Sequence, residues 1–464
     1  MHEHFRYIVC RSRNQVAGME KQYLKLVLVL YPFQGHINPM LQLASVLHSH
    51  GFSITICHPQ FNSPDPSTHP HFEFIPLRAG FTPQNAFKSL TEFLKILNDK
   101  SRTPFMDTLV QIMGKEEQSA CHVIYDGCMY FAAQVANELN LPSFVFHTFS
   151  AANLLRYLAY PHLRQEGLIP IQDSKLLEPV PDLDPLRFKD LFLVSNEDLD
   201  AWLNLLSSFC DIKSSSAMIF NTADLLEQQP LKILKEKFQV PIFSIGPIHK
   251  ISPPIFSSLV EEDTSCISWL DMQTPNSVLY ISLGSLNFLN DTELTEMAWG
   301  LANSKQPFLW VVPPEKLGGS RSLDSLPEGF EEAVGERSYL VKWAPQKKVL
   351  AHGAVGGFLS HCGWNSTLES IGEGVPMICR ASYGDQKVNA RYLSHVWRVG
   401  VELEKGLERE KIESAVRRLM RDEEGEGMRK RALDLKEMIR ICVGDGGSSS
   451  ESIAELVKLI MSSK

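Results

Sequence analysis

The chain has 464 residues, 44% of them hydrophobic, with 45 basic against 54 acidic side chains and a net charge of −9. That length allows two domains that each bury a core, and no basic stripe is present to neutralise a phosphate backbone, so nucleic acid is not an expected partner. Nine cysteines, an odd number without a CxxC pair, suit free thiols in a reducing compartment. No run reaches the roughly 18 to 20 apolar residues of a membrane span, so a cytoplasmic protein without membrane contact is expected.

Residues 1–23 carry Arg6, Arg11, Arg13, Glu20 and Lys21 without a long apolar core, and Met19 opens MEKQYLKLV just before the first apolar run. They read as an N-terminal extension with no chemistry of its own. Leu24 to Tyr31 (LKLVLVLY) reads as a strand, and PFQGHINP (32–39) follows it. The next residues repeat apolar side chains at Ile37, Leu41, Ala44 and Leu47, which is helical spacing, with Pro39 near the first turn and Gly51 as the stop. FSITIC (52–57), CHVIYD (121–126), the helix FAAQVANEL (131–139) and PSFVFH (142–147) continue the βαβ rhythm. Residues 24–245 therefore read as one doubly wound, Rossmann-like α/β lobe.

Residues 246–266, GPIHKISPPIFSSLVEEDTSC, are rich in Pro and Ser and lack a period, as a linker would be. The alternation then restarts through 267–445. Its strands are SVLYISL (277–283), PFLWVV (307–312), YLVKW (339–343), VGGFLSH (355–361) and VPMIC (375–379), with helices at Thr292 to Asn303 and from Asn365. A second Rossmann-like lobe is expected. Residues 446–464 hold a helix with one apolar face (SESIAELVKLIM, 450–461) suited to closing back on the first lobe.

Ligands of such sheets sit outside the carboxyl ends of the strands, and His36 lies at one such end. Neither GxGxxG nor GxxxxGK[ST] occurs, so dinucleotide redox chemistry and P-loop phosphoryl transfer both lack their fingerprints. The most specific stretch is 343–386, WAPQKKVLAHGAVGGFLSHCGWNSTLESIGEGVPMICRASYGDQ, in which HCGWNSTLES joins a buried strand end to a helix start. Gly363 permits close backbone approach, and free N–H groups at a helix N-terminus favour an anion, to which His361 can add a donor. On capping grounds alone, Asn365 and Ser366 serve equally well as caps of their own helix.

The stretch resembles the plant secondary product glycosyltransferase box of the family 1 UDP-dependent glycosyltransferases, from its Trp to its terminal Asp-Gln. PFQGHINP, SVLYISLGS (277–285) and GDQKVNARYLSHVWRVG (384–400) extend the resemblance over nearly all of the chain after Met19. The subgroup it looks closest to includes cytokinin, benzoxazinone and steviol-glycoside glucosyltransferases. The resemblance implies a GT-B fold, two Rossmann-like lobes facing a central cleft, with a UDP-sugar donor and inversion at the anomeric carbon. By the family pattern Trp343 stacks on uracil, the Ala344 backbone reads the base edge, and Gln346 and Glu369 meet the ribose. His361, Asn365, Ser366 and Ser285 match the diphosphate contacts. Trp364, Asp385 and Gln386 match the sugar contacts, joined from the first lobe by Thr148 and Asn153. A terminal Gln in the box is the family's usual choice for glucose, so UDP-glucose is the expected donor. Ala381 stands where family members often carry Pro, which frees φ and restores an N–H, so the loop presenting Asp385 is expected to be less rigid.

Transfer to a hydroxyl needs a base. An imidazole, ordinarily near 6.5, lies about 3.5 units below a phenol near 10, so complete prior deprotonation would cost about 5 kcal/mol and the proton should move during attack. A carboxylate that fixes the tautomer helps such a base, and Asp126 matches the aspartate of the family's His-Asp pair with His36. Without the family match, a lone loop histidine such as His36 is more often structural than catalytic, and Asp126 could merely cap the following helix. Asp182 and Asp184 in PDLDP resemble a metal-binding DxD but sit between prolines, and the HEH (2–4) and HPH (69–71) pairs lack the further ligands of a zinc site. No metal or cofactor is expected.

The expected function is an inverting UDP-glucosyltransferase, monomeric, acting on a hydroxyl or nitrogen of a small lipophilic metabolite. A UDP-sugar hydrolase or epimerase on the same scaffold, or a non-catalytic UDP-sugar binder, are the alternatives. The acceptor pocket is expected from segments 78–100 and 147–210, whose apolar residues could equally be core.

Overall fold

The computed structural model describes residues 24–80, 89–115, 121–192, 198–255, 258–284, 289–313, 326–403 and 406–463. The extension 1–23 and Ser285 lie outside them.

The first sheet has seven strands in the order β3-β2-β1-β4-β5-β6-β7. They are β1 (Lys25–Val29), β2 (Ser53–Pro59), β3 (Glu73–Leu77), β4 (Cys121–Asp126), β5 (Ser143–His147), β6 (Ala217–Phe220) and β7 (Ile242–Ser244), and every pairing is parallel. Leu26, Val27, Leu28 and Val29 are all buried, because a parallel sheet covered on both faces buries both sides of its central strand. That is why the run reads as unbroken and apolar. The second sheet has six parallel strands in the order β10-β9-β8-β11-β12-β13. Its members are β8 (Val278–Ser282), β9 (Phe308–Val311), β10 (Ser338–Val341), β11 (Val355–Ser360), β12 (Met377–Cys379) and β13 (Gly400–Glu402).

Both sheets reverse their winding at a central pair, β1/β4 in the first and β8/β11 in the second, and a ligand crevice opens outside the carboxyl ends at such a reversal. His36 follows β1 and Asp126 ends β4, while Gly284 follows β8 and His361 follows β11. The chain thus brings its four most informative positions to two crevices.

Three local details differ from the sequence reading. The first helix spans Gln34–Ser49, so Pro39 lies inside it and not near its first turn. Pro39 has no N–H to give the carbonyl of Gly35 four residues back, which leaves that carbonyl free for another donor. The segment 246–266 is anchored: the Ile248 N–H donates to Asn221 Oδ1 at 2.9 Å, Ser449 Oγ donates to the Gly246 carbonyl at 2.7 Å, and a helix, Ser265–Asp271, starts in its end. The helix expected from Asn365 spans Trp364–Glu373 with Gly363 as N-cap and no side-chain cap, so neither Asn365 nor Ser366 caps it.

The final helix, Ser448–Ser462, sends Ile453, Leu456, Val457 and Ile460 into the core beneath Leu26 and Leu28 of β1 and Ile54 and Ile56 of β2. His122 of β4 meets the Ser463 carbonyl at 2.8 Å. The chain therefore crosses back to the first sheet at its end.

Candidate functional site

The two crevices face each other across one cleft of about 770 Å³. On the first-lobe side, His36 Nδ1 lies 2.7 Å from Asp126 Oδ2. The His36 side chain is 24% exposed and that of Asp126 only 2%, so the imidazole borders the cleft with the carboxylate behind it. Asp126 Oδ1 accepts the Cys128 N–H at 2.9 Å, and Thr148 Oγ1 is 2.8 Å from His36 Nδ1 and 3.4 Å from Asp126 Oδ2. An ionised carboxylate only accepts, so the shared proton is assigned to Nδ1, which leaves the Nε2 lone pair free. Tyr31 meets the ring edge-on at 4.6 Å and limits its rotation.

Opposite stands the N-terminus of the helix Trp364–Glu373, where no side chain caps the first-turn amides. His361 is wedged between two glycines. A Cβ on Gly284, whose φ is +78°, would fall 2.7 Å from its ring, and one on Gly363 would fall 2.5 Å from Nε2. Burial pushes the His361 imidazole down to about 4, a backbone hydrogen bond with Ser282 opposes that and nearby Arg380 adds to it, so the ring is neutral and carries a single N–H. Backbone dipoles and one neutral ring together form a cradle suited to an anion. Asn365 donates from Nδ2 to the Gly35 carbonyl at 2.6 Å, filling the acceptor that Pro39 leaves open and tying the cradle helix to the helix of His36.

Beside the cradle, half-buried Trp343 donates from Nε1 to Ser258 Oγ at 3.0 Å, and its carbonyl accepts the Asp263 N–H at 2.8 Å. Segment 258–263 thus fixes the indole plane. Gln346 Nε2 donates to Ser366 Oγ at 2.9 Å and to Glu369 Oε2 at 2.8 Å. Burial raises the Glu369 carboxyl and the Gln346 hydrogen bond opposes that. Ala344 completes this wall. An aromatic plate beside an amide and a buried carboxyl suits a base and its ribose.

At the other end of the cradle, Asp385 Oδ2 accepts from Asn389 Nδ2 at 2.9 Å, and burial pushes its carboxyl up. Gln386 Oε1 accepts the Ser382 and Tyr383 amides at 2.9 and 3.3 Å, and its side chain also hydrogen-bonds the Tyr383 hydroxyl. The amide of Ser382, which follows Ala381, is thereby used to hold the loop, offsetting the freedom gained where a proline is missing. Trp364 borders the cleft, but its indole N–H is spent on the Asn221 carbonyl at 2.8 Å. Only its backbone and ring face are left for a sugar. Asn153 of the helix Ala151–Gln165 is buried and faces this end together with Thr148.

The remaining wall is apolar. Trp202, Leu205, Leu206 and Phe209 form one stripe of the helix Leu199–Phe209 and meet Tyr31, Phe33, Leu94, Phe149 and Tyr157 around the cleft beside His36. The sequence reading named the segments but none of these side chains, because a stripe spaced i, i+3, i+4, i+7 looks the same against a core or a ligand. It also missed Ser258 and Glu262, which border the cleft from the supposed linker.

Of the fifteen sequence candidates, Ser285 lies outside the described residues and Asp126 sits behind His36; the other thirteen border this cleft. Asp182 and Asp184 are exposed and away from it, His69 stacks on Phe72 and His71 on His48, and the HEH pair is outside the described residues. Among the described residues, His36, Asp126 and Cys128 alone bring three metal-capable atoms together, within 4.8 Å. The His36–Asp126 hydrogen bond occupies that group as a proton pair.

The family model described as "UDP-glucoronosyl and UDP-glucosyl transferase" matches residues 78–433. The chain is 48% identical over 443 residues to UDP-glycosyltransferase 76E1 of Solanum lycopersicum, covering 94% of this chain and 92% of that one. It is 46% identical to the flavonol 3-O-glucosyltransferase UGT76E12 of Arabidopsis thaliana, covering 96% and 99%. Among solved structures it resembles Phytolacca americana UGT2 complexed with UDP-2-fluoro-glucose and pterostilbene, with TM-score 0.82, 28% identity, and 95% and 100% of the two chains covered. A UDP-glucose:anthocyanidin 3-O-glucosyltransferase in complex with UDP matches with TM-score 0.83 at 26% identity, covering 96% of this chain and all of that one.

Proposed function

Because the chain belongs to the family of UDP-glucuronosyl and UDP-glucosyl transferases, we propose that it moves glucose from UDP-glucose to a hydroxyl, or a nitrogen, of a small lipophilic acceptor. The observation that carries this reading is the His36–Asp126 pair at 2.7 Å, placed across one cleft from an uncapped helix N-terminus. GT-B relatives with bound UDP, and one with both a UDP-sugar analogue and pterostilbene, support the division of the cleft into donor and acceptor ends.

UDP lies with uracil on Trp343, the base edge along the Ala344 backbone, the ribose between Gln346 and Glu369, and the diphosphate at the helix Trp364–Glu373 and His361. The terminal Gln386 and Asp385 take the glucose hydroxyls, and Asn153 closes on them from the first lobe. The acceptor rests on the Trp202, Leu206 and Phe209 stripe with its hydroxyl toward His36. Among the described residues that wall carries no charged side chain of its own, so a neutral, largely apolar molecule gains most from entering it.

Attack is a single displacement. The acceptor oxygen forms its bond to the anomeric carbon as its proton passes to Nε2 of His36, and the anomeric C–O bond breaks with its electron pair going to the β-phosphate of UDP. Attack from the face opposite the leaving group inverts the centre. Asp126 holds the Nδ1 tautomer and steadies the imidazolium that forms. The growing charge on the departing diphosphate meets first-turn amides and the His361 N–H, so the reaction proceeds without a metal ion. We place the enzyme, a monomer, in the cytoplasm: the eight described cysteines are free, and no described helix is long and apolar enough to cross a membrane.

Incubation with UDP-glucose and a panel of phenols, terpenoid alcohols, carboxylic acids and cytokinins tests the reading. UDP release that depends on an acceptor is the expected result. Acceptor-independent release points to a hydrolase, and binding without turnover to a UDP-sugar binder; either would overturn it.

A further inference from the structure

Arg156, on the helix Ala151–Gln165 of the first lobe, is fully buried and does not border the cleft. Its Nη1 donates to the Gly384 carbonyl of the second lobe at 2.7 Å, while Nε and Nη2 find no hydrogen-bond partner among the described residues. The guanidinium carbon sits 4.6 Å from the Tyr157 ring centre. A buried cation so sparsely bonded depends on the charge and dipoles it faces. What it faces is the turn Tyr383-Gly384-Asp385, in which Gly384 has φ +63°. Burial pushes the Asp385 carboxyl up, and the opposing influences are the Asn389 hydrogen bond and then the charge of Arg156.

A second link runs from the same helix. The Ser150 hydroxyl donates to Asn389 Oδ1 at 3.2 Å, and Asn389 Nδ2 donates to Asp385 Oδ2 and to the Cys362 carbonyl, both at 2.9 Å. Both links leave one first-lobe helix and converge on one second-lobe carboxyl at the sugar end.

We propose that Arg156 is a positioning residue for the donor sugar, fixing the Gly384–Asp385 turn across the lobe boundary so that Asp385 meets the sugar hydroxyls as an oriented carboxylate. The proposal rests on the UDP-sugar reading above. It predicts a split that general destabilisation would not produce, since UDP reaches only the cradle and the Trp343 wall, whereas UDP-glucose also reaches Asp385.

The test measures the dissociation constants of UDP and UDP-glucose by calorimetry, with kcat and KM, for the wild type and the Arg156→Met, Arg156→Lys and Ser150→Ala variants. Arg156→Met should weaken UDP-glucose by about ten- to a hundredfold, the scale of a lost charge-assisted hydrogen bond, while UDP changes by less than about threefold. Arg156→Lys, which keeps the charge, should recover part of the loss, and Ser150→Ala should shift the same ratio in the same direction by a smaller factor. If Arg156→Met does not fold, the other two variants carry the test. A ratio of UDP to UDP-glucose affinity that stays at the wild-type value overturns the proposal, even though the wild type transfers glucose. A wild type that neither binds nor uses UDP-glucose overturns the functional reading instead.

Discussion

Single side chains in this cleft do work that their residue type suggests only in part. Trp343 is an aromatic residue at a strand end, which fits a stacking plate, yet its orientation comes from Ser258 and Asp263 in a stretch without periodicity. Trp343→Ala is expected to weaken UDP by about 1 to 3 kcal/mol, the usual scale for a base on an aromatic face, while kcat at saturating donor changes much less. Titration calorimetry with UDP checks this, and unchanged affinity would remove Trp343 from the donor wall. His36 and Asp126 were legible as a histidine and an aspartate at two strand ends and, by the resemblance, as a pair, while the distance between these positions 90 residues apart follows from the β1/β4 register. Asn365 read from its type alone as a cap of its own helix and, by the resemblance, as a diphosphate contact. It caps nothing, and its amide answers the carbonyl left open by Pro39, a partner 330 residues away in sequence that no local pattern could reveal.

Whole elements were easier to read where their burial is two-sided. Unbroken apolar runs such as VLVL in β1 and VGGFLS in β11 mark central parallel strands, and the turns after them mark the crevices. One-sided stripes were ambiguous. The stripe of Leu199–Phe209 faces the cleft, while the similar stripe of Ser448–Ser462 faces the β1 and β2 core, and only the tertiary structure separates the two cases. The second stripe implies a stability role for the chain's last helix. Leu456 is fully buried, so Leu456→Ala should cost about 2 to 5 kcal/mol by loss of transfer energy plus a cavity. Denaturant melts check that figure, and a loss below about 1 kcal/mol would mean the helix does not anchor the first sheet.

The molecule as a whole is two parallel sheets that face one cleft, and burial shifts several of its ionisable groups away from their ordinary values. His147, at the end of β5, is fully buried among Phe149, Phe209 and Phe220 with neither ring nitrogen partnered among the described residues, and burial pushes it down to about 4. As pH falls, the unfolded chain takes up this proton near 6.5 while the folded chain holds out to about 4, so stability is lost across that window. Burial raises the Glu227, Glu369 and Asp385 carboxyls and works in the opposite direction, so the informative quantity is a difference between proteins. His147→Leu should grow more stable relative to wild type as pH drops from about 7 to about 5. Paired melts at the two pH values check this, and a constant difference would contradict a neutral buried imidazole.

The proposed transfer needs His36 as proton acceptor on one side of the cleft and the uncapped helix N-terminus as anion site on the other. The most direct measurement compares turnover and UDP affinity in His36→Ala. A fall in kcat of about two to four orders of magnitude, the scale of general-base catalysis, is expected, with UDP bound as tightly as by the wild type. Turnover within a few fold of wild type would contradict it.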